Sequence, residues 1–199
     1  MYVGLYPLRC REPEVEVDFL SEALKEAISS QEETLMKQGF VVVRRTMNNP
    51  SRQKEVKAIR ALLFRGDIGV QIWASEMEER KPGVLVVSPL VKPQIFLGVE
   101  SHFSDHLGFK TGSMPGSSQC RPPGDFVFLP NVDVETLIKN HLERKVKKGS
   151  HAIWFETADA YMDAVDAEAE RDLAWQVKKG QMIKATHQQL EKLRAAGRI

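Results

Sequence analysis

Apolar residues recur along the chain at two spacings, every three to four residues in some stretches and every second residue in others. Each spacing implies the element it builds. Leu20, Leu24, Ala27, Ile28 and Leu35 fall on one side of a helix. Asp18 stands where a cap can accept the free N–H groups of its first turn, and Gly39 follows its last turn, where a left-handed residue is wanted. FVVVRR at 40–45 is a strand, and its four consecutive apolar residues imply cover on both faces. Val56, Ile59, Leu62 and Leu63 predict a second helix, capped by Ser51 and ended by Gly66. Ile68, Val70 and Ile72 alternate, so 67–75 is a strand. VLVVS at 84–88 and QIFLGV at 94–99 are two more, separated by prolines that cannot donate to a ladder.

The pattern continues with a short strand, DFVFLP, at 125–130. Asp133 caps a third helix with Val134, Leu137, Ile138, Leu142 and Val146 inward. HAIWFE at 151–156 reads as a last strand. Thr157 caps a long terminal helix carrying Tyr161, Val165, Ala169 and Leu173; Gly180 interrupts it and 181–196 is a second helical piece. With a first strand at 2–8, this order predicts an α/β or α+β fold, a mixed β-sheet flanked by helices. Residues 1–157 form the core domain, and 158–199 form a C-terminal helical extension packed on the core or projecting from it.

Composition narrows the class. The chain has 199 residues, 42% hydrophobic and 28% charged, with material for a core and a solvated surface. No window approaches the ~20 apolar residues of a membrane span. MYVGLYPLRC lacks the basic segment and apolar run of a secretory signal. Cys10 and Cys120 are then expected as reduced thiols in a cytoplasmic protein.

Charge adds what the total conceals. The net charge is +1, yet residues 11–34 hold eight acids and two bases, and 44–60 hold six bases and one acid. Wound as a helix, 52–65 presents Lys54, Lys57, Arg60 and Arg65 opposite its apolar side. Arg44 and Arg45 approach from the strand before. Arg44, Arg45, Arg52, Lys54, Lys57 and Arg60 together predict an anion-binding surface for nucleic acid or an acidic protein face. The plainer reading is a solvated helix face. On the terminal helix, Asp159, Asp163, Asp166 and Glu170 share one face. Four carboxylates so spaced suit a hard cation such as Mg²⁺, or pairing with the basic region 178–198, within the chain or across a dimer.

Candidate chemistry centres on SHFSDHLGFKTGSMPGSSQC, 101–120. His102 and His106, four apart with Asp105 between, put two imidazoles and a carboxylate within reach of one ion, zinc accepting all three. Cys120 is a further donor. The stretch lacks clear secondary structure, and a loop of that length in a compact domain is commonly a binding segment. A weaker constellation, Asp67 with Glu79 and Lys81, has the acid and acid-x-Lys composition of a metal nuclease but not its placement within strands. No phosphate loop, dinucleotide fingerprint or nucleophile elbow is present. His141 falls on an apolar helix face and is expected to be a buried structural histidine. Trp73, Trp154 and Trp175 are expected in the core or an interface, and Leu173 with Trp175 offers a surface for a second subunit.

Two functions follow. One is an intracellular binding or accessory protein acting through the basic surface. The alternative is a metal-dependent hydrolase, a nuclease among the options, using the histidines of 101–124 and a divalent metal, Zn or Mg.

Overall fold

The computed structural model describes residues 4–6, 21–47, 56–77, 93–104, 108–113, 124–149, 151–180, 182–184, 188 and 191, with backbone alone at 4–6, 47, 56–58, 76–77 and 182–184. The order is β1 (Gly4–Tyr6), α1 (Glu22–Lys37), β2 (Val41–Met47), β3 (Val56–Arg65), β4 (Ile68–Met77), β5 (Gln94–Ser101), β6 (Gly108–Gly112), β7 (Gly124–Phe128), α2 (Val134–Lys148), α3 (Ala158–Lys178) and β8 (Met182–Lys184). Strands β2 to β7 form one six-stranded sheet in sequence order. Every neighbouring pair is antiparallel except β6–β7, which is parallel, so the sheet is mixed as the sequence predicted. β1 and β8 pair in parallel as a separate two-stranded ribbon.

Helices cover both faces. On one face α1 and α2 bury Leu35, Leu63, Val70, Ile72, Val99 and Leu137. On the other, Tyr161 and Val165 of α3 pack on Leu62, Phe64 and Phe155. Asp133 and Thr157 cap α2 and α3 through Thr136 N and Ala160 N. Helix α1 starts later than its apolar pattern suggests. Its cap is Ser21, which accepts from Leu24 N; Asp18 lies outside the described residues.

Four expectations are corrected. The second helix is strand β3. Residues 61–64, Ala-Leu-Leu-Phe, are all buried. A helix would turn four consecutive side chains around its axis and wet some of them. A strand between two helical layers buries all four, Ala61 and Leu63 toward α1 and α2, Leu62 and Phe64 toward α3. Gly66, at φ +60°, is then the turn between β3 and β4 and not a helix end.

The segment 151–156 is not a strand. It makes one isolated bridge, Phe103 to Ala152, and is tied down by Ile153 N to His102 O at 2.7 Å and Phe155 N to Gly66 O at 3.0 Å. The described part of 181–196 includes strand β8 where a helical piece was expected. Within 101–124, Gly108–Gly112 is a strand of the main sheet, so the stretch is not one long loop. The strand expected at 84–88 lies outside the described residues.

Candidate functional site

Alternation along β5 sends Glu100 and His102 to the α3 face and Ser101, between them, to the α2 face. Lys110, opposite Glu100 in register on β6, joins the α3 side. Glu168 arrives from α3, seven residues after Tyr161 and three after Val165, on that helix's buried stripe. Glycine sets how closely the helix approaches: a methyl at Gly69 would collide with the Tyr161 phenol.

The result is a buried polar cluster. Lys110 Nζ lies 2.9 Å from Glu100 Oε2 and 3.0 Å from Glu168 Oε1. Glu100 Oε2 also accepts from Gln71 Nε2 at 2.6 Å, and Glu100 Oε1 from the Tyr161 hydroxyl at 2.9 Å. Arg60 Nη2 donates to Gln71 Oε1 at 3.0 Å, which fixes the amide's orientation. Each glutamate thus gives one oxygen to Lys110 and turns the other toward His102. Glu168 Oε2 is 3.5 Å from Nδ1, and Glu100 Oε1 is 3.7 Å from Nε2. Neither length makes a good hydrogen bond. His102 is 7% exposed and its Nε2 has no hydrogen-bond partner.

The charges in the cluster are mutually held. Burial opposes ionisation of Glu100, but Lys110 and then His102 outweigh it and keep the carboxyl well below the usual range. Burial likewise works against the Lys110 ammonium, and the two glutamates outweigh that and raise it. Tyr161 is pushed well above its ordinary value by burial and by Glu100, so it stays a phenol that donates.

One ligand atom from each of Glu100, His102 and Glu168 lies within 4.8 Å of the others. Around a tetrahedral ion with bonds of ~2.1 Å, neighbouring ligands sit ~3.4 Å apart. Side-chain shifts of about an ångström would close the trio on a cation. Beside it opens a cavity of about 130 Å³, lined by His102, Ile153, Ala164, Ala167, Glu168 and Arg171. That is room for about four waters. A larger groove of about 500 Å³ runs between α1 and α2 past Gln31, Thr34, Asn131, Asp133 and Glu135. Among the described residues, the buried unpaired side-chain atoms are Arg60 Nε and His102 Nε2, and neither residue lines that groove.

The α2 face carries the other described buried histidine. His141 Nε2 is 3.0 Å from Ser101 Oγ and Nδ1 is 3.1 Å from Thr111 Oγ1. Ser101 gives its proton to Asp67 O, so it accepts from His141 Nε2–H. Nδ1 is then the acceptor of the Thr111 hydroxyl, and Thr111 accepts from Arg144 Nη1. Burial, then the nearby Arg144 and Lys145, lowers His141 to about 3. It is the satisfied structural histidine the sequence suggested.

The basic residues are dealt to both faces. Arg45, opposite Ala61, turns toward α1 and makes a two-pronged pair with Glu32, at 2.8 Å to each oxygen; that hydrogen bond raises its pKa. Arg44, opposite Leu62, belongs to the α3 face with Arg60, whose guanidinium lies 5.7 Å from the Trp73 ring centre. Lys57 sits in β3 opposite Glu76. Arg52 and Lys54 lie outside the described residues. Of the predicted metal ligands, His102 is in the cluster; Asp105 and His106 lie outside the described residues. Asp67 pairs with Lys145 at 2.7 Å, while Glu79, Lys81 and Cys120 are outside the described residues. On α3, Asp159, Asp163, Asp166 and Glu170 are on the exposed side, and Glu168 is the acid that turns inward.

Glu100, Lys110 and Glu168 carried no motif. One signal was available: an acid and a histidine two apart in an alternating strand share a face, and Glu168 interrupts the apolar stripe of α3. Among the described residues no helix is long and apolar enough to cross a membrane. No protein-family model matches the chain, and neither does any curated protein or solved structure.

Proposed function

We propose that the protein is a metal-dependent hydrolase whose divalent ion is held by Glu100, His102 and Glu168. One observation carries the reading: a buried imidazole stands between two carboxylates, Glu168 facing Nδ1 and Glu100 facing Nε2, and Nε2 makes no hydrogen bond. Burying such an atom unpaired costs about 1–3 kcal/mol, which ligation would offset. One nitrogen and two carboxylates suit zinc or manganese. Three protein ligands beside a cavity leave a coordination position for water, the arrangement hydrolytic metal sites use. Tyr161, Gln71 and Lys110 hold the carboxylates in place as outer partners do around bound metals.

The test is metal content and titration of the full chain, purified without a histidine tag. One ion per chain is expected, with His102→Ala and Glu168→Gln each weakening its affinity by about 10–100-fold or more. A wild-type chain that takes up neither zinc nor manganese at micromolar concentration overturns the reading.

The anion-surface reading depended on a helix that gathered six cations. Among the described side chains, the antiparallel pair β2–β3 sends Arg45 to one face and Arg44 with Arg60 to the other, Arg45 held by Glu32 and Arg60 by Gln71. Oligonucleotide titration at two salt concentrations, with Arg44→Glu as the control, tests what remains of it.

A further inference from the structure

The hydrolase reading leaves its substrate open, and the charge around the cavity narrows it. Glu100 and Glu168 bring two negative charges, and Lys110 bridges them with one positive charge. His102, as a ligand, is neutral. A divalent ion added to this set leaves one unit of positive charge in a pocket where the ligands are 2% to 11% exposed. Arg60, one side chain further through Gln71, adds to the same sign.

The other wall is α3. Ala164 and Ala167 line the cavity with small side chains, and Arg171, a turn further on the same flank, completes the wall from its solvent end. Among the described residues no carboxylate pairs with Arg171. Its planar fork matches the oxygens of a phosphoryl group in two hydrogen bonds. Ion and arginine together call for two negative charges on a small group, which a phosphate monoester supplies and a carboxylate does not.

Resting on the hydrolase reading, we infer that the substrate is a phosphate monoester whose phosphoryl group enters this cavity between the ion and Arg171. The roughly 130 Å³ of space takes the phosphoryl head and leaves the alcohol portion outside, past Ile153 and Arg171. In the reaction, a water oxygen forms a bond to phosphorus and the bond from phosphorus to the ester oxygen breaks. The ester oxygen leaves with that electron pair and takes up one proton of the water, giving the alcohol and inorganic phosphate. Nothing is oxidised or reduced.

The experiment uses the full chain and four small probes. Zinc is titrated first, then inorganic phosphate into the zinc-loaded protein with acetate as competitor, for wild type and for Arg171→Glu. Hydrolysis of p-nitrophenyl phosphate is followed on the same samples. The expected result is zinc binding equal in the two proteins, phosphate binding weakened at least about tenfold by the substitution, and p-nitrophenol released by wild type alone. Zinc binding without phosphate binding overturns the substrate and spares the metal centre. Acetate displacing phosphate at equal concentration overturns it in favour of a carboxylate. Absence of zinc and manganese binding overturns both readings.

Discussion

Strand β5 builds two buried histidine environments within three consecutive residues, one on each face of the sheet. On the α2 side, Ser101 and Thr111 occupy both nitrogens of His141, and every proton in the chain from Arg144 to Asp67 has a place. On the α3 side, His102 is also buried yet makes no hydrogen bond through Nε2, with the Glu100 carboxylate just too far for one. The pair separates two uses of one residue type. A histidine with both nitrogens committed stabilises the fold and has nothing left to offer a ligand. A histidine held in place by ring contacts, with Phe155 and Tyr161 set edge-on to it, keeps a ring nitrogen uncommitted.

Substitutions can break this contrast. The largest effect is expected at Glu100, which receives Lys110, Gln71 and Tyr161 at once. Glu100→Ala removes the partner of a buried ion pair and should lower unfolding free energy by about 3–5 kcal/mol in urea titrations. Next comes the comparison itself. His141→Gln strands Ser101 and Thr111 and should cost about 2–3 kcal/mol, whereas His102→Gln, in metal-free protein, should cost less than about 1 kcal/mol. Equal losses would erase the distinction between the two sites.

pH sharpens the same comparison. The folded pKa of His141, about 3, lies below the unfolded value of about 6.5. Between those values the unfolded chain binds the proton and the folded one does not, so stability rises with pH. The contribution is complete above about pH 6.5 and is lost as pH falls toward 3, at up to about 1.4 kcal/mol per unit. Urea midpoints from pH 4 to 7 should show this slope in wild type and a shallower one in His141→Gln. The smallest effect is expected at the α3 cap. Thr157→Ala should cost about 1 kcal/mol and leave metal affinity within about twofold, because Glu168 lies three turns away.

Much of the fold was legible because single-period signals are local. Caps Asp133 and Thr157 sit where the sequence put them, and the strand alternation at 68–72 survives intact. Strand β3 was misread because double-sided burial erases alternation, and Val56, Ile59, Leu62 and Leu63 happen to fit a helical period. Strand β6 was invisible: Gly-Phe-Lys-Thr-Gly has one large apolar residue, and its place comes from pairing with β5 and β7. The site was legible in one residue. His102 stood out, but its neighbours in sequence were offered as its partners. Its partners in space come from β5 and α3, and Glu168 is 66 positions further on. No local spacing rule spans that distance. The basic cluster was inferred from a helix, and the strand that stands there sends Arg44 and Arg45 to opposite faces.

The stitch between Ile153 N and His102 O has a mechanical consequence. One wall of the cavity and the imidazole on its floor are fastened to the same strand end, so they travel as a single piece. Widening from the opposite bank, with α3 carrying Ala164, Ala167 and Arg171, would leave that stitch intact. Glu168 belongs to that same helix.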